Sequence, residues 1–305
     1  MAKLSKILIL GGTGFLGNNL INKLNPEKFE IYSISLNKKT KIVKNKNWKY
    51  YFFDASNKSN LREFFVDKKF DYIVNFSGYI EHSNFDDNAI NLLNCSINIL
   101  YNILTLTLEN PPKRFIQIGS ADEYGLANSP FSEGIREQPV SFYGLAKVTC
   151  SHIAEMIYKI HSYPICVIRP FIVYGPGQSN VGLIPYVINS CLLNKKFEVS
   201  EGYQERDFIY IDDFTNAILK SLFIDKVNGE ILNIGSGKSL KVKSIILKIL
   251  DLIKSGEPLF GKYIPVKKID NQYMEADIEK AKKILNWEPR IQINEGLALT
   301  ISEFK

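Results

Sequence analysis

Across 305 residues the chain carries a net charge of +6 with 45% hydrophobic content, enough for one large α/β core with an appended lobe, and it shows no uninterrupted apolar run of membrane-spanning length. The whole charge excess falls between Asn37 and Lys49, where six lysines (38, 39, 41, 44, 46, 49) meet no acid. A chain that tracked a nucleic-acid backbone would spread its basic residues along a face, so a solvated Lys/Asn-rich loop is expected, with no nucleic-acid and no membrane partner.

Ile7 to Leu10 reads as a buried parallel strand that breaks into Gly11-Gly12-Thr13-Gly14 and re-emerges as a helix from Phe15 to Leu24, through Leu16 and Gly17. Glycines at 12, 14 and 17 suit a tight turn, close backbone approach to a pyrophosphate and close helix–strand packing, so the stretch predicts a dinucleotide site. Strands follow at Glu30 to Ser35, Tyr50 to Asp54 and Asp71 to Phe76, with a short helix over 61–68 before the last of them. A long helix runs from Asn88 to Glu109 and is stopped by Pro111-Pro112. Arg114 to Ser120 and Ile165 to Arg169 are two further strands, separated by a helix over 143–160. This alternation predicts an α/β fold, a Rossmann-type doubly wound parallel sheet with right-handed crossovers.

Beyond Pro170 the rhythm loosens: a turn at 174–177, a helix over 183–194, a strand over 208–211, and a helix capped by Asp212-Asp213 and reaching Phe223. A strand over 231–234 and helices over 242–255, 277–285 and 294–304 complete the chain. Residues 1–173 with 207–235 are expected to form the dinucleotide-binding domain, and 174–206 with 236–305 a smaller mixed lobe for substrate. The first strand begins without a charged leader and cleavage site, which predicts a cytoplasmic location. Cys95, Cys150, Cys166 and Cys191 are widely spaced, form no Cys-x-x-Cys pair, and read as reduced core thiols.

Tyr143 and Lys147 stand at i and i+4 of a helix, hence on one face. A neighbouring ammonium favours a phenolate, so Lys147 is expected to lower the Tyr143 pKa. The glycine turn, Ser120 at the end of the fifth strand, and this Tyr-x-x-x-Lys together resemble the extended short-chain dehydrogenase/reductases, in their branch of nucleotide-sugar epimerases, dehydratases and reductases. The likeness extends to Gly119-Ser120-Ala121-Asp122-Glu123-Tyr124-Gly125, to the stretch from Ile168 to Gly177, to Arg206-Asp207-Phe208-Ile209-Tyr210-Ile211-Asp212-Asp213, and to Leu285-Asn286-Trp287-Glu288-Pro289. The resemblance implies that Tyr143 exchanges a proton with the sugar oxygen, Ser120 hydrogen-bonds that oxygen and Lys147 holds the nicotinamide ribose. It implies further cofactor contacts at Gly11, Gly12, Gly14, Phe15, Leu16, Gly17, Asp54, Ala55 and Pro170, a substrate-diphosphate contact at Arg206, and a homodimer built on the helices over 88–109 and 141–160.

Departures from the family pattern narrow the reaction. The slots that carry Thr-Asp-Glu in 4,6-dehydratases hold Ser120, Ala121 and Asp122, and alanine cannot serve as an acid. The stretch is closest to reductases of nucleotide-linked 4-keto-6-deoxy sugars. No carboxylate ends the second strand; Ser35-Leu36-Asn37-Lys38-Lys39 instead suits a 2'-phosphate through Ser35, Asn37, Lys38 and Lys39, so NADP(H) is expected, with NAD(H) as the alternative. Ile172 replaces an Asn that many relatives carry within Arg-Pro-Phe-Asn. The reading is therefore an NADPH-dependent C4 ketoreductase of a nucleotide-linked 4-keto-6-deoxy sugar, in biosynthesis of a deoxysugar for surface polysaccharide. The alternatives are an NAD-retaining C4 epimerase and a non-catalytic dinucleotide sensor, the second disfavoured by the retained Tyr/Lys pair. Gly235-Ser236-Gly237-Lys238-Ser239 lacks the first glycine of a triphosphate loop and reads as a turn. His82, His152 and His161 are spaced too irregularly for a metal site, His152 having a packing role, and no metal is expected.

Overall fold

A computed structural model describes residues 4–38, 45–78, 87–180, 182–263 and 271–304. In chain order the elements are β1 (Ser5–Leu10), α1 (Phe15–Lys23), β2 (Phe29–Ser35), β3 (Trp48–Phe52), α2 (Lys58–Phe65), β4 (Tyr72–Asn75), α3 (Asp87–Thr107), β5 (Arg114–Ile118), α4 (Phe142–His161) and β6 (Ile165–Pro170). There follow β7 (Ile172–Tyr174), α5 (Leu183–Leu192), β8 (Lys196–Val199), β9 (Glu205–Tyr210), α6 (Ile211–Ser221), β10 (Ile231–Ile234), β11 (Ser239–Lys241), α7 (Val242–Ile253), β12 (Glu257–Phe260), β13 (Tyr273–Met274), α8 (Glu279–Leu285) and α9 (Ile293–Phe304).

Seven strands form one parallel sheet in the order β10-β6-β5-β4-β1-β2-β3, the reversal at β1/β4 marking the Rossmann-type switch point. The reason is visible in β1, where all four core side chains are fully buried and alternate between faces. Ile7 and Ile9 pack with Leu20 and Ile21 of α1 and Phe214 and Ile218 of α6. Leu8 and Leu10 pack with Leu61 of α2 and Leu100 and Ile103 of α3. Each such side chain contributes about 1.5–3 kcal/mol on leaving water, so β1 anchors both layers. Ala89–Thr107 within α3 is long and apolar enough to span a membrane by composition, but its Ile99, Leu100, Ile103 and Leu104 belong to this core.

Several expected boundaries move because side chains cap earlier than periodicity suggests. Asn57 accepts the Ser59 and Asn60 amides and starts α2 at Lys58 rather than at Leu61. Ser141 accepts the Gly144 amide and starts α4. Asp212 and Asp213 do not cap α6, which begins at Ile211 with Tyr210 at its N-cap. Asp212 instead pairs with Lys23 of α1, and Asp213 accepts the Arg290 and Ile291 amides at 2.9 and 2.8 Å.

The strand expected over 208–211 is β9, and it joins a smaller sheet, pairing with β7, β11 and β13, while α6 after it returns to the large sheet beside α1. A parallel β8–β12 pair lies apart. The short strands β7, β8, β11, β12 and β13 carry too few residues to show a period and are invisible to sequence patterning. All four cysteines are free; Cys150, Cys166 and Cys191 are buried.

Candidate active site

The glycine turn sits where β1 ends at the switch point. Gly11, not Gly12 or Gly14, takes the positive φ, at 75°. The later glycines are needed for space: a Cβ on Gly17 would lie 2.4 Å from the Gly11 carbonyl oxygen, and one on Gly12 would lie 2.2 Å from Ser33 Oγ. Gly14 is the N-cap of α1 and offers no side-chain acceptor, and no acid stands in the first turn with Phe15 and Leu16. The first amides of α1 thus face an anion site without a competing carboxylate from the helix itself.

At the expected 2'-phosphate pocket, Ser35 is buried and its hydroxyl accepts the Thr13 amide at 3.1 Å, so it braces the turn. Asn37 and Lys38 are exposed at the loop start, and Lys39 lies outside the described residues. Asp54 stands at the end of β3, tied to Ser35 by the Phe53 amide on the Ser35 carbonyl at 3.1 Å. Its Oδ1 accepts the Ser56 amide and hydroxyl, and Ala55 beside it is buried.

Ser120, Tyr143 and Lys147 converge at the same edge of the sheet. Burial drives the phenol of Tyr143 well above its ordinary pKa, Asp122 and Glu123 push the same way, and a hydrogen bond with Ser120 opposes them. This corrects the expected lowering by Lys147, whose Nζ lies 5.7 Å from the Tyr143 ring centre and donates instead to the Ile118 carbonyl at 2.8 Å. Burial lowers the pKa of Lys147. The ammonium also lies 3.4 Å from where a Cβ on Gly78 would stand, so the exits of β4 and β5 frame it. A hydroxyl pair with a lysine, at the same end of the parallel sheet as the glycine turn, can move a proton to or from an oxygen held against a bound dinucleotide.

Comparison with known proteins agrees with this geometry. The family model described as the NAD dependent epimerase/dehydratase family matches residues 7–235, from β1 through β10. The chain belongs to that family. It is 27% identical over 305 residues to a UDP-glucuronate 4-epimerase of Thermodesulfobacterium geofontis, covering 98% of this chain and 91% of the relative. Its fold superposes on a UDP-glucose 4-epimerase of Thermotoga maritima solved with UDP-glucose, at TM-score 0.90, 24% identity and 98% coverage of both chains. It also superposes on a UDP-glucuronic acid 4-epimerase of Bacillus cereus solved with UDP-glucuronic acid and NAD, at TM-score 0.87, 24% identity and 98% coverage of both.

Within this epimerase/dehydratase chain the remaining candidates are more dispersed. Pro170 ends β6 and pairs in register with Ile234 of β10. Arg206 on β9 is largely buried and donates to the Glu205 carbonyl at 2.9 Å. Ile172 is exposed on β7. The Gly235–Lys238 stretch is a turn wrapped around Asp207, whose carboxylate accepts the Ser236, Gly237 and Ala276 amides at 2.6, 2.9 and 3.2 Å. The amides of this stretch, expected from the sequence as a turn, are satisfied by a side chain of the protein itself. His152 is exposed and faces Glu137 and Glu155 rather than packing, and His82 lies outside the described residues. Among the described residues no cluster of three potential metal ligands occurs. Sequence reading missed Glu123 and Arg169, which form the buried polar support beneath Ser120; the signal for the first was the Ser-x-x-Glu spacing of a capping box.

Proposed function

We propose that this protein is an NAD-retaining C4 epimerase of a nucleotide sugar. The observation that carries the reading is the convergence of Ser120, Tyr143 and Lys147 at the same end of the parallel sheet as the glycine turn, with Ala121 in the slot where a dehydratase needs an acid. The similarity to UDP-sugar 4-epimerases over nearly the whole chain supports it over the reductase reading. Gly12 and Gly17 leave α1 packed close against the turn where no Cβ has room, and its uncapped, acid-free first turn fits a pyrophosphate on the α1 N-terminus. When bound, the dinucleotide supplies the acceptor, and later the donor, of the C4 hydride.

The chain's own residues do the rest. Tyr143 exchanges a proton with the sugar C4 oxygen, taking it only as the phenolate; burial holds that form back, and the positive charge that an oxidised dinucleotide would bring when bound would favour it. Ser120 hydrogen-bonds the same oxygen and stabilises the charge that develops there. Lys147, anchored on the Ile118 carbonyl, holds the ribose. Asp54 accepts from the adenine amine, and Arg206 grips the substrate diphosphate as a planar, permanent cation.

A C4 ketoreductase using NADPH is the second reading. It is favoured by the absence of a carboxylate over residues 35–38 at the end of β2. The purified protein separates the two. An epimerase carries bound NAD, interconverts C4 epimers of UDP-sugars without added cofactor, and loses about 10²–10⁴ in kcat on Tyr143→Phe. Stoichiometric NADPH oxidation by a nucleotide-linked 4-ketosugar, without epimerisation, would establish the reductase instead.

A further inference from the structure

Beneath the reacting hydroxyls lies a buried ion pair that the proposed reaction does not use. Glu123 closes the single helical turn 121–123 that follows Ser120, and its side chain and that of Arg169 on β6 are both fully buried. Glu123 Oε1 accepts the Ser120 amide at 2.8 Å, while the Ser120 hydroxyl accepts the Asp122 amide at 3.1 Å. Oε2 accepts Arg169 Nε at 2.8 Å and the Ser151 hydroxyl of α4 at 2.7 Å. The guanidinium continues to Glu137 Oε1 at 2.6 Å and lies 4.7 Å from the centre of the Tyr124 ring.

Three features make this more than a structural pair. The donors on Glu123 come from three places, β5's exit, β6 and α4, and only an acceptor-only carboxylate satisfies all of them at once. Gly119 is required for the reach, because a Cβ there would stand 2.3 Å from Glu123 Oε1. The amide that Glu123 holds belongs to Ser120 itself, whose side chain hydrogen-bonds Tyr143.

We propose that Glu123, paired with Arg169, is a positioning residue that fixes the Ser120 backbone and so aims the Ser120 hydroxyl at Tyr143 and the sugar oxygen. The proposal rests on the epimerase-type reading of Ser120 and Tyr143 as the reacting pair. A glutamine at position 123 presents an amide donor either to the Ser120 N–H or to Arg169, so one contact is turned into donor against donor.

The test is a double-mutant cycle on the full chain with a UDP-sugar substrate. Glu123→Gln is expected to lower kcat about 10–100-fold with KM within about three-fold and bound NAD unchanged, and to lower kcat no further in a Ser120→Ala background. An unchanged kcat in the single variant, or losses that multiply in the double variant, would overturn the proposal. Should Glu123→Gln not fold, Ser151→Ala removes one donor from the carboxylate; a smaller kcat loss that also vanishes in the Ser120→Ala background supports the proposal, and a multiplicative loss refutes it. The Ser120 amide proton gives a readout independent of turnover: its resonance is expected downfield in the wild type and upfield in the variant of either position. Absence of turnover with every nucleotide sugar would sink the functional reading alone, leaving the clamp to be decided by that resonance, and an unmoved resonance refutes it.

Discussion

The Thr13 amide donates to the Ser35 hydroxyl at 3.1 Å, so the end of β2 braces the glycine turn that follows β1. A serine expected to receive a phosphate is thus part of the turn's own frame. Ser35→Ala is expected to weaken NAD binding about five-fold, the worth of roughly 1 kcal/mol for one hydrogen bond. Lys38→Ala, at an exposed position, is expected to change NAD binding less than about two-fold. Titration of the cofactor-stripped protein checks both; a larger effect of Lys38→Ala on NADP than of Ser35→Ala on NAD would return the 2'-phosphate reading.

Close approach of α1 to the turn makes Gly17 the least replaceable glycine there. A Cβ would meet the Gly11 carbonyl oxygen at 2.4 Å and Gly12 Cα at 2.7 Å, both backbone atoms that cannot swing away. Gly17→Ala is expected to destabilise the fold by about 2–3 kcal/mol, through overpacking, and to release the dinucleotide. Chemical unfolding and the bound-NAD absorbance measure the two effects. Retention of NAD at wild-type occupancy would show that α1 can shift without opening the site.

Asp207 gives the fold a pH dependence of definite sign. Burial pushes its carboxyl up to about 6, although the amides of Ser236, Gly237 and Ala276 and the Ser236 hydroxyl oppose the rise. Unfolded, the group titrates near 3.9. Between those values the folded chain binds the proton more tightly, so this group's contribution to stability falls as pH rises through about 4 to 6 and is level above. Acidifying from pH 7.5 to 5 therefore adds on the order of 1 kcal/mol from this residue alone. Asp207→Asn is expected to lose that component, and also to be destabilised by about 1–3 kcal/mol at pH 5 because its amide faces donors. Urea unfolding at the two pH values measures the difference; identical pH responses of wild type and variant would refute the assignment.

How legible the molecule was follows from the kind of interaction involved. The strands of the large sheet are continuous apolar runs, and the helices between them carry their own periodicity, so the alternation and the parallel sheet could be read from local pattern alone. Helix starts were less legible because caps such as Asn57 and Ser141 act through single hydrogen bonds outside the periodic segment. Strands as short as β7 and β13 exist only because β9 lies beside them.

By itself the sequence determined the Rossmann-type architecture, the glycine turn, and the Tyr143/Lys147 spacing on one helical face, since each depends on residues near one another in the chain. Only the tertiary structure decided what the surrounding groups do. It turned Ser35 into a brace, drew Lys147 onto the Ile118 carbonyl, seated Asp207 within the 235–237 turn, and set Arg169 against Glu123 beneath Ser120. The physical reason is common to all four: a buried polar group must find its partner within about 3 Å, and the nearest one is supplied by whichever segment the packing brings there.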